Sequence, residues 1–358
     1  MRDHRNWTLR NARASASQRQ RGLSLIELMV AIAIAALLLL GLSTLFASSS
    51  KNFAENEKSS RQIENGRYAM DLLAEDLRHA GFYGEVGSVT TLPITPIAMP
   101  TALPDPCDTA VANVKAALPL PIQGVDSPDT APSCLVSQLA GTDAIVIRRA
   151  NTSTIPAASA VASEYYTQTA FCSTATTVFD LKQSGFTLQN KDCNAGNPSP
   201  IRKYHVHIYF ISSCSRGTGT GGACQTGDDA IPTLKRMELG TSGFTVTPLV
   251  EGIEQLQVEY GLDTNNDGSA DTYTAKPTGG NAAAIVTAWS QVVSVRLYVL
   301  ARNVDVSNGY TDTKTYPMGL KADNTANTFS PGGSYKRHGY SELVRLVDIA
   351  QRKETPFP

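Results

Sequence analysis

No HExxH sequence, no serine set in a nucleophile elbow and no CxxC pair occurs in the 358 residues. The first two absences remove the usual signatures of zinc proteases and α/β-hydrolases. The third removes the close ligand spacing of zinc ribbons, since no two cysteines lie nearer than ten positions. The run Gly217-Thr218-Gly219-Thr220-Gly221-Gly222 lacks the lysine of a phosphate-binding loop. Charge of neither sign is in excess: 31 basic residues face 32 acidic ones, which leaves no broad field for gripping nucleic acid. These lacks point away from an enzyme. Two more absences are positional. No charged residue lies between Leu28 and Ala47, and no proline lies between 23 and 83.

The uncharged stretch is the chain's plainest feature. At about 1.5 Å per residue, a helix of some twenty apolar residues spans about 30 Å, the hydrocarbon thickness of a bilayer. Before it stands Arg21-Gly22-Leu23-Ser24-Leu25-Ile26-Glu27-Leu28. A secretory signal carries its small-residue cut site after the apolar run. Here the junction Gly22-Leu23 precedes it, so the apolar segment stays on the mature chain. Glu27 is the anomaly, because an ionisable group inside an apolar span is strongly unfavourable unless paired and therefore marks function.

The octet resembles the processing site of type IV prepilins. That resemblance implies cleavage after Gly22 and N-methylation of the new first residue, where Leu23 stands in place of the usual phenylalanine. It also implies that Glu27, then fifth in the chain, meets the new amine of a neighbouring subunit as a filament assembles. Such a pair compensates two otherwise stranded charges and selects register more than it adds stability. Residues 1–22 hold six arginines and one aspartate, so the positive-inside bias keeps this leader cytoplasmic. Everything after Ala47 is then periplasmic, with a single pass through the inner membrane. Without the leader the chain has 25 basic and 31 acidic residues, a net of −6.

Helical character continues beyond the span, with apolar or small residues at Ile63, Gly66, Met70, Leu73, Leu77 and Ala80 forming a narrow seam. The spacing predicts one helix of about fifty-five residues ending at His79-Ala80-Gly81, where glycine takes the left-handed cap. On it, Glu75-Asp76 reads as a solvated face. Residues 84–141 are rich in proline and read as a long loop. Strands are expected at 144–148, 203–211, 234–239, 252–260 and 291–300, and 340–349 fits strand or short helix. In 203–211 the side chains of Val206, Ile208 and Phe210 face one way. His205, His207 and Tyr209 face the other, which reads as a polar strand face, two histidines without a third ligand being weak grounds for a metal. All six cysteines fall on the translocated side, where oxidation favours disulfides. Fifteen pairings are open, and the grouping favours Cys107 with Cys134, Cys172 with Cys193 and Cys214 with Cys224.

This is an α+β plan: a long N-terminal helix, half membrane segment and half amphipathic, packed on an antiparallel sheet with disulfide-bearing loops. The domains expected are leader 1–22, span 23–47, amphipathic half 48–83 and globular domain 84–358. Asn65-Gly66-Arg67-Tyr68-Ala69, Leu77-Arg78-His79-Ala80-Gly81-Phe82, Pro232-Thr233-Leu234-Lys235-Arg236 and Val250-Glu251-Gly252-Ile253-Glu254 resemble the PilW type of minor pilin. That resemblance implies a part in pilus assembly, in an initiation or tip complex. Its partners would be other minor pilins, the major pilin, the prepilin peptidase and the inner-membrane assembly platform. A type II secretion pseudopilin and a pilus-borne adhesin are the rival readings.

One more segment has the makings of a cation site. Asp263, Asn265, Asp267, Ser269 and Asp271 surround Gly268 in the spacing that opens a calcium-binding loop. Thr274 stands where such a loop places its bidentate glutamate, so Asp271 or a residue elsewhere has to close the shell. The same residues make an ordinary hairpin turn. The expectation is a structural Ca²⁺ clamping that turn.

Overall fold

The structure is a computed structural model that describes Gly22 and residues 24–127, 129 and 131–354. The basic leader before Gly22, and Leu23 itself, lie outside the described residues. The chain divides into two compact units, Met1–Glu55 and Asn56–Pro358. One helix, α1 (Leu25–Arg78), contributes to both.

In the first unit Ser24 starts the helix. Its Oγ accepts the backbone N–H of Glu27 at 3.2 Å, which satisfies one of the donors that a helix start leaves open. Every residue from Leu25 to Ala54 is exposed. Hydrophobicity without periodicity gives this stretch no buried face.

In the second unit α1 turns one face to a core. Gly66, Met70, Leu73, Leu77 and Ala80 of the expected seam are buried, together with Gln62, Ala69, Ala74 and Asp76. Ile63 is 38% exposed, so the seam starts one residue earlier than its apolar pattern indicates. Gln62 sits there because its Nε2 donates to the carbonyl of Ala301 at 2.9 Å. The helix ends as expected: Gly81 takes a φ of +79°, and its N–H donates to Arg148 O at 3.0 Å.

The rest of this unit is built on antiparallel strands. After α2 (Val111–Ala116) come β1 (Ile122–Val125), β2 (Ala144–Ala150), β3 (Tyr166–Thr169), β4 (Phe179–Lys182), β5 (Ile201–Ser212), β6 (Thr233–Gly240) and β7 (Gly243–Glu251). These seven strands form one sheet centred on β5, which pairs with β2, β3 and β6. Then β8 (Ile253–Leu262), β9 (Thr272–Thr274), α3 (Ala282–Ser290) and β10 (Val292–Arg302) follow. After β11 (Tyr316–Leu320) and β12 (Ala326–Phe329), which pair together, β13 (Arg337–Arg345) leads into α4 (Val347–Ala350). The second sheet has the order β13-β10-β8-β9. The segment 340–349 is therefore strand first and helix after.

Alternation along β5 assigns its two faces to two cores. Tyr209 and Ile211 pack with α1 and the β8–β10 sheet, whereas Tyr204, Val206, Ile208 and Phe210 pack with Tyr83, Val86, Val89, Leu92 and Leu118. The second group corrects the expectation of a long loop over 84–141. That segment contains α2 and β1 and supplies the cover for the sheet's other face, its prolines falling between short buried anchors. Periodicity cannot report a layer built from single anchors.

Candidate functional site

The described residues of the octet that resembles a prepilin site are simple in geometry. Gly22 precedes the helix, Ser24 caps it, and the cap spacing places Glu27 in the first turn, where a carboxylate suits the positive end of the helix dipole. Around Glu27 the exposed side chains are Leu25, Ile26, Leu28, Met29 and Val30. The helix is long and apolar enough to cross a membrane by length and composition.

A second constellation joins α1 to the large sheet. Asp76 is buried, not solvated as Glu75-Asp76 had read; Glu75 beside it is exposed. Its Oδ1 accepts Arg149 Nε, and its Oδ2 accepts Tyr209 Oη at 2.9 Å and His207 Nδ1 at 2.6 Å. Burial pushes the Asp76 carboxyl up, but the His207 hydrogen bond with the charges of His207 and Arg149 outweighs it and holds the group well below the usual carboxylate range. The face of β5 that reads as polar and open is thus a closed face bonded to the helix. Removing Asp76 alone would leave the half-buried Arg149 and the buried His207 and Tyr209 without their acceptor.

The short elements that resemble PilW minor pilins each serve this junction. A Cβ on Gly66 would lie 2.1 Å from the ring of Tyr340, whose Oη donates to Ile63 O, so glycine is what admits the β13 tyrosine against α1. Asn65 Nδ2 donates to Glu251 O at 3.0 Å. Gly252, between β7 and β8, has a φ of +78°, and a Cβ there would meet Arg302 O at 2.6 Å. Its N–H reaches Pro232 O, and its carbonyl accepts Arg302 N–H. Glu254 then pairs with the buried Arg337, which also holds Asp312 at 2.9 Å.

The Asp263–Asp271 segment is the turn of the β8–β9 hairpin. The buried Asp263 carboxylate accepts the N–H groups of Asp267 and Gly268, Asn265 Oδ1 accepts Asp267 N–H, and Asp267 Oδ1 accepts Ser269 N–H. Asp271 Oδ2 accepts both the N–H and the hydroxyl of Thr264 at 2.7 Å. Thr274 lies in β9 with its hydroxyl donating to Lys276 O, away from the turn. Lys353 Nζ stands 3.6 Å from Asp263 Oδ2. The loop's carboxylates are therefore bonded to its own amides and to the Thr264 hydroxyl, with the Lys353 ammonium beside Asp263.

Three disulfides join Cys107 with Cys134, Cys172 with Cys193 and Cys214 with Cys224. The first staples the layer that covers the sheet, and the third closes the glycine-rich run. Sequence reasoning missed Glu238 and Asn151, which surround the two β5 histidines. Only strand register brings them there, and no local pattern announces it. It also missed α3, for which a signal existed: Asn281 before an alanine run caps the helix through Ala284 N–H at 2.9 Å.

Residues 17–43 match the prokaryotic N-terminal methylation motif. Residues 208–348 match the type IV pilus-assembly protein W family. Over these two stretches the chain is similar to PilW-type pilins. No curated protein matches this sequence. Among solved structures, a type IV-like pilin from Thermus thermophilus is similar at 12% identity and a TM-score of 0.34, over 81% of this chain and 98% of that one. The two matches support a minor pilin's part in type IV pilus assembly. The family match opens within β5 and closes in α4, so Gly252, Glu254 and Arg337 fall inside it, while Asn65 and Gly66 lie outside both matched stretches.

Proposed function

We propose that this pilin enters the inner membrane as a single-pass precursor, is cut after Gly22, and joins other minor pilins in the complex that starts the filament or stands at its tip, with the globular domain periplasmic. The observation that supports it is the thirty-residue helical stretch from Leu25 to Ala54, wholly exposed and with Glu27 as the lone charge before Lys51. Apolar surface of that extent needs lipid or neighbouring helices. A carboxylate within it needs a cation, and the amine freed at Leu23 of an adjacent subunit is one of matching chemistry. The partners are then the prepilin peptidase, the assembly platform, the other minor pilins and the major pilin.

Replacing Gly22 with leucine tests the first step. The uncut precursor then accumulates on a gel, and normal processing of that variant would remove the prepilin reading. For the second step, the tagged full chain in detergent captures other minor pilins; recovery of a surface ligand without any pilin favours an adhesin. The Asp263–Asp271 turn takes up Ca²⁺ as a structural ion in place of the Lys353 ammonium. Melting of the full chain then shifts upward with the ion, and Asp267→Ala abolishes the shift. A melting temperature indifferent to calcium returns the turn to its amide-bonded form alone.

A further inference from the structure

The antiparallel register of β5 and β6 sets His207 opposite Glu238, and His205 follows on the same face two residues away. One ring nitrogen from each histidine and a Glu238 carboxylate oxygen come within 4.8 Å of one another. Glu238 Oε1 lies 2.9 Å from His205 Nδ1 and 3.8 Å from His207 Nε2. We propose that these three side chains form a binding site for a divalent transition-metal ion of the zinc type, which ties the helix–sheet junction together.

The hydrogen bonds behind the site decide the argument. Asp76 is an acceptor only, so His207 Nδ1 carries the proton of that 2.6 Å bond, which leaves Nε2 as the ring atom that faces the site. Among the described residues that Nε2 has no hydrogen-bond partner, although His207 is only 3% exposed. A buried polar atom left unpaired is unfavourable, and in native structures it points to a missing partner. His205 Nδ1 donates to Glu238 Oε1 at 2.9 Å while its Nε2 lies 3.0 Å from Asn151 Oδ1, so on binding an ion would take the place of the proton that Nδ1 holds toward the carboxylate. Two imidazole nitrogens and a carboxylate oxygen thus converge, with a proton between His205 and Glu238 where an ion would sit.

Carboxylate-oriented and amide-oriented imidazoles of this kind are how proteins fix metal-binding histidines. Two histidines and a carboxylate make a borderline-soft set that suits zinc, with the fourth position left to water. Glu238 is about a quarter exposed, so an ion and that water can enter from solvent. Arg236 occupies Glu238 Oε2 at 3.1 Å, leaving Oε1 for one-point ligation. Asp76 and Glu238 balance Arg149 and Arg236, so affinity rests on the imidazole lone pairs more than on net charge. Because Asp76 belongs to α1 and the ligands to β5 and β6, the bound ion resists separation of helix from sheet.

The test uses the full-length pilin in detergent, stripped with a chelator and titrated with Zn²⁺ alone. The expected results are a single equivalent bound, a rise in melting temperature, and, with Co²⁺ in its place, the visible absorption of a four-coordinate nitrogen–oxygen site. Glu238→Gln and His205→Ala each weaken binding by about 10- to 100-fold, whereas His338→Ala on β13 leaves it unchanged. Asp76→Asn, acting through His207, weakens binding while the cobalt spectrum keeps its band positions. No bound equivalent, or binding indifferent to both Glu238→Gln and His205→Ala, overturns the proposal. So does a melting temperature that responds to acidification and not to the metal, since protons would then fill the place assigned to the ion. If a variant fails to fold, the cobalt spectrum of the native chain decides.

Discussion

The two halves of α1 are one helix with opposite surfaces. From Leu25 to Ala54 every residue is exposed although most are apolar, whereas between Gln62 and Leu77 eight residues are buried, polar Gln62 and acidic Asp76 among them. The difference teaches how the chain separates two tasks. Unbroken apolarity provides a surface for lipid and other helices and commits nothing to the fold. A sparse periodic seam, backed by a few buried polar anchors, carries the folding energy of the junction.

That comparison is sharpened most by paired truncations. Leu73 is fully buried in the seam, and Leu73→Ala should destabilise the full-length protein by about 2–5 kcal/mol in thermal or denaturant unfolding. Leu39, 66% exposed in the other half, should give a change within about 0.5 kcal/mol on the same truncation. Equal losses at the two positions would break the division of tasks.

A pH series probes the second half's domain next. Asp143 is buried, accepts the N–H groups of Ser127 and Val258, and has its pKa pushed from 3.8 up to about 7, chiefly by burial. A folded-state value above the unfolded one means that the native state holds the extra proton between those limits, so this group's contribution to stability falls as pH rises from about 4 to about 7. Asp143→Asn should therefore be more harmful at the acid end, the penalty shrinking by up to about 4 kcal/mol across that window. A penalty independent of pH would show that the carboxyl is already ionised in the acid range.

A smaller effect is expected at Gly252. Alanine there has to adopt a positive φ and pushes against Arg302 O, strain on the order of 1–3 kcal/mol. The loss should appear as a lower melting temperature with the membrane half's helicity unchanged. An unaltered melting temperature would remove the backbone explanation of the Val250–Glu254 element.

Legibility in the sequence follows the same line. The helix and its glycine cap were readable because both are local: a run without proline, a repeat of threes and fours, and a residue suited to φ above zero. Five strands were readable from apolar runs, and β8 and β10 depart from expectation only at their ends. The layer over 84–141 was not, because α2 and β1 are short and the anchors Val86, Val89, Leu92, Leu118 and Leu120 are separated by prolines and polar residues. Asp76 was misread for a different reason. An acid on a helix is solvated unless partners wait for it, and Arg149, His207 and Tyr209 are more than seventy positions away. The Asp263–Asp271 turn shows the converse: its motif is conspicuous in sequence, yet its carboxylates are bonded to amides, and Lys353, far along the chain, stands beside the first of them.

The central claim is that the exposed half of α1 serves assembly through Glu27 and leaves the fold alone. Piliation measured in cells carrying Glu27→Ala, alongside the melting temperature of the purified full-length variant, tests it most directly. The account predicts a processed, membrane-retained pilin with an unchanged melting temperature and sharply reduced filaments. Normal piliation, or a loss of filaments matched by a loss of folding, would contradict it.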